Sequence, residues 1–154
     1  MPTQVAHAQT PQKTGVIYGA PEGHDARILA EKARALMPED RVLLHIALDD
    51  MRAATLADLL AFFAPDVRVI IFPAWDCLPY DRVSPNSDIV ARRVAALTKL
   101  LAWDREQERY PRILITTVNA AVQRVMPRAA LENAALIAAQ GQKLEIDNLQ
   151  KFFA

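Results

Sequence analysis

Short, nearly continuous apolar runs alternate with amphipathic stretches along this chain of 154 residues. The runs occupy residues 15–18, 41–46, 67–72 and 112–117. Strands of a parallel sheet are covered on both faces, so their sequences are apolar throughout rather than alternating. The four runs therefore predict parallel strands.

The stretches between these runs carry apolar residues at the spacing of a helix face. The predicted helices span residues 25–36, 51–63, 88–103 and 119–125, the last ending before a proline. A further strand is predicted at residues 134–138. Alternating strands and helices form right-handed crossovers. The predicted fold class is thus α/β, with a parallel sheet of four or five strands and helices on both faces.

The first predicted strand, loop and helix follow the order of a nucleotide-binding P-loop. A working P-loop reads G-x-x-x-x-G-K-[ST], in which backbone amides cradle phosphate, the lysine contacts the outer phosphates and the hydroxyl binds Mg²⁺. The corresponding loop here contains Tyr18, Gly19, Gly23, His24 and Asp25. If Gly23 is the second glycine, His24 occupies the lysine position and Asp25 the hydroxyl position. A carboxylate at that position would repel a triphosphate. We therefore expect a P-loop-NTPase-like fold without a functional cofactor site or catalytic residues.

Composition narrows the possible classes of protein. Lys+Arg and Asp+Glu both number 18, and this zero net charge argues against a protein whose overall field attracts nucleic acid. The single cysteine, Cys77, excludes an internal disulfide framework and favours a reducing, cytoplasmic location. The three histidines lack metal-ligand spacing, so no metal site is expected. Residues 1–13 are polar and predict a disordered tail, and no segment is long enough to span a membrane.

The longest predicted loop, residues 73–87, begins at the carboxyl end of a predicted strand, where open α/β sheets usually bind ligands. In one interpretation its apolar side chains cover the edge of the sheet. In the other it faces a partner, through Trp75, Asp76, Leu78, Tyr80 and Asp81. A second open question concerns four arginines, which form either a basic patch or a set of solvated and internally paired side chains: Arg92, Arg93, Arg124 and Arg128.

Residues 147–154 predict the start of a helix, with Asp147 as its cap. An apolar stripe there is formed by Ile146, Leu149, Phe152 and Phe153. No glycine stop or basic last turn follows. We therefore expect the chain to be part of a longer polypeptide that covers this stripe.

Four sequence motifs together resemble the N-terminal region of the bacterial transcription-repair coupling factors. They are FPAWDCLPYD at 72–81, SPNSDI at 84–89, RRVAAL at 92–97 and TTVNAAVQRVMP at 116–127. The resemblance covers roughly residues 15–154. It implies a module like the excision-repair protein UvrB, with a P-loop that has lost its function. It also implies an α/β subdomain at 14–141, with 142–154 beginning an inserted second domain.

The resemblance implies partners for the longer protein rather than for these residues. UvrA would bind the second domain beyond residue 154, and RNA polymerase and DNA would bind distant domains, with ATP and Mg²⁺ held in a distant motor. The present segment would contact other domains of its own chain and thereby restrain the motor. It would bind no cofactor and would not associate with a membrane.

Three functional hypotheses follow. The favoured one is a non-catalytic scaffold and interaction module of a coupling factor, which displaces stalled polymerase at DNA lesions and recruits UvrA for nucleotide excision repair. The second is a nucleotide-binding enzyme, which the missing lysine and hydroxyl disfavour. The third is an autonomous DNA-binding module, which the neutral charge disfavours.

Overall fold

The computed structural model describes residues 15–77, 82, 84–103 and 108–134, with the single positions 143 and 150 and residues 145–147. Its elements are α1 (His24–Leu36), a 3₁₀ turn (Met37–Glu39), β1 (Val42–Ala47), α2 (Asp50–Phe63), β2 (Arg68–Phe72), α3 (Ser87–Trp103), β3 (Arg112–Thr117), α4 (Val118–Ala121) and α5 (Arg128–Ala134). The predicted α/β class is confirmed, and the predicted boundaries of α1 to α3 and β1 to β3 are correct to within one residue.

The described strands form a three-stranded parallel sheet in the order β1-β3-β2. Ile115 of the central strand lies opposite His45 of β1 and Ile71 of β2. Ile113 and Ile115 are completely buried, as expected for a strand that is covered on both faces. β1 and β2 form the two edges of this sheet.

Helices cover both faces of the sheet, as predicted. On one face, α1 packs through its alanines, Ala26, Ala30 and Ala33, against Leu56 and Leu60 of α2. The small alanine side chains recur at the spacing of one helix face, so the two helices approach each other closely. On the other face, α3 packs against Ile70 and Phe72 of β2, and Trp103 closes that layer.

Strand β1 is covered on only one face. Leu43 packs toward α1 and α2, whereas Val42, Leu44 and Ile46 point to the face of α3 and remain exposed. Helix α3 lies over β2 and leaves these side chains exposed, although Val42 borders a pocket that α3 also lines through Leu97 and Leu101. The continuous apolar sequence of β1 predicted burial on both faces, and that prediction is wrong for the described part of the chain.

Residues 15–18 do not form the predicted strand. Val16, Ile17 and Tyr18 have exposed fractions of 68%, 57% and 85%, and no described strand pairs with them. Because no described strand pairs with this segment, its backbone groups are left to water.

The chain after β3 also differs from prediction. The helix predicted at 119–125 is the single turn α4, which begins where Thr117 accepts a hydrogen bond from the backbone N–H of Ala120 and ends at Ala121. Ala134, predicted to open a strand, ends α5 instead. The rest of that strand, residues 1–13, Leu78, Tyr80, Asp81 and most of 142–154 lie outside the described residues. The division at residue 142 stays a prediction, and no described helix could cross a membrane.

Candidate functional site

The predicted P-loop residues form a tight entry into α1. Gly19 and Gly23 have φ angles of 67° and 82°, in the left-handed region that glycine adopts without strain. The backbone N–H of His24 donates to the carbonyl of Pro21 at 3.0 Å. Helix α1 begins at His24, and its N-cap residue, Gly23, has no side chain that could cap the helix. Tyr18 lies before this turn with its ring in solvent.

Asp25 joins the beginnings of two helices. Its Oδ1 accepts a hydrogen bond from the backbone N–H of Ala26 at 2.9 Å, and its Oδ2 accepts one from Arg52 Nη2 at 2.5 Å. The backbone N–H of Arg52 donates to Asp49 Oδ1 at 2.7 Å, and Asp49 is the N-cap of α2. The residue at the P-loop hydroxyl position is thus a carboxylate held by an arginine.

His45 on β1 lies within the electrostatic reach of this pair. Burial lowers the pKa of His45 below the ordinary value of 6.5, because the imidazolium is poorly hydrated there. The Asp25 carboxylate opposes this effect, whereas the Arg52 guanidinium lowers the pKa further.

A cavity of about 490 Å³ opens beside the loop, in the groove between α1 and α2. Its walls are mainly apolar and include Leu59 and Phe63. Both of its arginines are paired: Arg34 donates to the two oxygens of Asp66 at 2.9 and 2.6 Å, and Arg27 pairs with Glu31. The hydrogen bonds between Arg34 and Asp66 lower the pKa of Asp66 and raise the pKa of Arg34. The groove therefore offers a mainly apolar surface whose two arginines are already paired.

No group of three or more metal-ligating side chains occurs among the described residues. His24 and Asp25, which stand at the positions of the P-loop lysine and hydroxyl, have no third ligand in this part of the molecule. The arrangement offers neither the lysine nor the hydroxyl–Mg²⁺ contact that a P-loop supplies to a nucleotide.

A second cluster lies at the carboxyl end of β2, around Arg93 of α3. The guanidinium of Arg93 lies between the rings of Phe72 and Trp75, 4.3 Å from each ring centre. Its Nη1 donates to the carbonyl of Pro73 at 2.6 Å and to Gln123 Oε1 at 3.1 Å. The same Gln123 oxygen accepts from the backbone N–H of Trp75 at 3.0 Å. Arg93 is only 3% exposed, and this burial lowers the pKa of its guanidinium.

Asp76, the next residue after Trp75, closes the base of the predicted loop. Both of its carboxylate oxygens accept from the backbone N–H of Asn86 at 3.2 Å, and Asn86 Oδ1 accepts from the backbone N–H of Asp88 at 3.0 Å. Trp75 and Asp76, two of the five residues predicted to face a partner, are thus engaged within the chain.

Three of the four arginines considered for a basic patch are paired or buried, and the fourth, Arg124, is exposed. Arg92 pairs with Asp88 at 2.7 Å, Arg128 pairs with Glu132 at 2.9 Å, and Arg93 is buried. Sequence reasoning missed the central role of Arg93, although a signal was present. Arg93 lies four residues from both Ile89 and Leu97, which places it on the apolar face of α3.

Comparisons with known proteins bear on this arrangement. Comparison with profiles of known protein families gives no match, and no solved structure matches. Three proteins named transcription-repair-coupling factor are similar to the chain. That of Escherichia coli (strain K12) is 36% identical over 105 residues, covering 68% of this chain and 8% of the relative. The protein of Myxococcus xanthus is 34% identical over 147 residues, covering 90% of this chain and 11% of the relative. That of Haemophilus influenzae is 27% identical over 128 residues, covering 83% and 10%.

The chain thus spans only about a tenth of the length of these relatives. The similarity confirms the resemblance indicated by the four motifs. The Myxococcus xanthus alignment extends over nearly the whole chain, so it includes both the loop before α1 and the Arg93 cluster. On these grounds the chain belongs to the family of transcription-repair-coupling factors, of which it represents a segment.

Proposed function

We propose that this chain is a non-catalytic scaffold and interaction module of a transcription-repair-coupling factor. The whole protein would use ATP to displace stalled RNA polymerase at DNA lesions and would recruit UvrA for nucleotide excision repair. The observation that carries the proposal is the similarity over 90% of the chain to a protein of that name.

The non-catalytic role is supported by the loop before α1. Asp25 stands where a P-loop has its Mg²⁺-bound hydroxyl, and its carboxylate is held by Arg52 at 2.5 Å. A triphosphate at that position would meet a negative charge and no lysine. ATP and Mg²⁺ would then act in the distant motor of the longer protein.

The scaffold role is supported by the uncovered side of the sheet. Within the part of the chain that the structure describes, β1 has no partner on its outer edge and carries three exposed apolar side chains, Val42, Leu44 and Ile46. Contiguous exposed apolar surface of this kind marks an interaction site. We propose that other domains of the full-length protein cover it, that the segment braces the UvrA-docking domain, and that these contacts restrain the motor. Increased ATPase activity on removal of the segment would support this restraint, and unchanged activity would count against it.

The test is a calorimetric titration of purified UvrA into two proteins: this chain, and a longer chain that continues through the following domain. We expect heat of binding only from the longer chain, because the docking residues are proposed to lie beyond residue 154. Binding by the present chain alone would move the recognition surface onto the first subdomain. A variant of residues 73–87 would then be the next one to titrate.

A further inference from the structure

Strand β1 and residues 118–126 together carry a group of large apolar side chains that remain exposed. On β1 these side chains occupy alternate positions, so they share the face of the sheet on which α3 lies. The residues of the group are Val42, Leu44, Ile46, Val118, Val122, Val125 and Met126. We call the surface that they form the β1 trough.

The two stretches of the β1 trough run side by side. At the carboxyl end of the sheet, Ala47 of β1 is in register with Thr117, the residue before α4, and α4 contacts β1. At the amino end, Val125 and Met126 line the same cavity of about 340 Å³ as Val42. Residues 118–126 therefore follow β1 along its length and form a wall beside the floor that β1 provides.

The shape and the chemistry of the β1 trough fit an α-helix. The six residues of β1 span about 20 Å, which is the length of a helix of about 13 residues. Helices are the elements that cover the apolar faces of parallel strands, as α3 does on β2. A two-fold dimer of this chain would instead set one trough against another, and two concave surfaces do not fill each other.

The comparisons favour the same polypeptide as the source of this helix. The chain aligns over 90% of its length with a relative of which it spans only 11%. A helix that is tethered to the same polypeptide meets the trough at a high effective concentration, so it needs little intrinsic affinity. A helix from a separate protein lacks this advantage.

We propose that an amphipathic helix of the same polypeptide, beyond residue 154, docks in the β1 trough. Its apolar stripe packs on Leu44 and Ile46, and one large apolar side chain of the helix enters the cavity beside Val42. This inference rests on the proposed scaffold function and deepens it, because it names the element that covers β1.

The test is site-specific photo-crosslinking in the full-length coupling factor that contains this chain. Two variants carry the crosslinking residue: Leu44→p-benzoylphenylalanine on the floor of the trough and Val122→p-benzoylphenylalanine on its wall. After irradiation and digestion, mass spectrometry identifies the linked peptides. Both positions should link to one peptide of the same chain beyond residue 154, at residues spaced by whole helical turns. The 154-residue chain alone should lose this product completely.

The matched control is Lys32→p-benzoylphenylalanine, at an exposed position of α1 on the opposite face of the sheet, which should not link to that peptide. Leu44 and Val122 are exposed, so both variants of the 154-residue chain should keep its Tm. The proposal is overturned if the folded variants give no product, or if they link to a second copy or to another protein. Links to alternate residues, as in a strand, or a shared product with Lys32 would also overturn it. UvrA and ATP are absent from this experiment, so its failure is distinguishable from that of the scaffold proposal, which fails when UvrA binds the short chain.

Discussion

The guanidinium of Arg93 stacks on the ring of Trp75, with 4.3 Å between the guanidinium carbon and the ring centre. This contact joins Trp75, which follows the end of β2, to Arg93 on α3, 18 residues further along the chain. Gln123 adds a third segment, since its side-chain oxygen binds both partners. Three of the four motifs that resemble the coupling factors therefore meet at one place, the carboxyl end of β2.

Replacing Arg93 should destabilise the fold strongly. Arg93→Gln removes two hydrogen bonds and two ring contacts from a buried site, and leaves the Pro73 carbonyl without its donor. We expect a loss of about 2–3 kcal/mol in the free energy of unfolding, measured by urea titration. The matched control is Arg92→Gln, which breaks only an exposed i,i+4 pair with Asp88 and should cost less than about 0.5 kcal/mol. Equal losses in the two variants would contradict a central role for Arg93.

The His45 environment predicts how stability depends on pH. Its pKa in the folded chain lies below the ordinary 6.5, so between these two values the unfolded chain binds more protons. The contribution of neutral His45 is therefore complete above pH 6.5 and is lost as pH falls through the folded pKa. Urea unfolding between pH 7.5 and 5 should show stability falling with acidity, and His45→Gln should flatten that slope.

The two charged neighbours of His45 allow a sharper measurement of its pKa by NMR titration. Asp25→Asn should lower the pKa further, because the carboxylate raises it, and Arg52→Gln should raise the pKa, because the guanidinium lowers it. Shifts in the same direction in both variants would show that the Asp25–Arg52 pair does not control His45 in this way.

Nucleotide should leave the thermal stability of the chain unchanged. A ligand present at about 100 times its Kd would stabilise the native state by about 2.7 kcal/mol and raise Tm by roughly 5–10 °C in a chain of this size. Because the loop offers a paired carboxylate in place of the lysine and hydroxyl, we expect no shift with millimolar ATP and Mg²⁺. A rise of several degrees with ATP, absent with equal ionic strength of sodium sulfate, would instead support the nucleotide-binding hypothesis.

Helices α1, α2 and α3 and the three strands could be predicted because their signals are local, whereas α5 was not predicted. The spacing of apolar residues in α1, α2 and α3 is that of one helix face, and β3 is apolar because both of its faces are covered. Residues 15–18 have an equally apolar sequence, but a strand also needs a neighbour for its backbone groups. The sequence of residues 15–18 alone does not indicate whether a neighbouring strand is available to pair with them.

The candidate site was predictable only in part, for a similar reason. The sequence places Asp25 at a position that would repel phosphate, but its pairing with Arg52 joins residues 27 apart, on two different helices. No periodic spacing indicates such a contact. Arg93 differs, since its position on the apolar face of α3 follows from helical periodicity. Phe72 and Trp75, whose rings contact Arg93, lie in another segment of the chain, so only the three-dimensional structure shows these contacts.

The exposed face of β1 gives a test of the scaffold proposal inside the longer protein. Leu44 is 56% exposed, so Leu44→Glu should change the unfolding free energy of this chain by less than about 0.5 kcal/mol. If other domains cover that face in the full-length coupling factor, the same variant buries an unpaired carboxylate there. We then expect a loss of at least about 2 kcal/mol in the full-length protein, read as a lower Tm or as release of this segment to limited proteolysis. The matched control is Val16→Glu in the exposed segment before α1. Equal and small effects of Leu44→Glu in the short and the full-length chains would mean that this face of β1 remains open to solvent and that the scaffold contacts lie elsewhere.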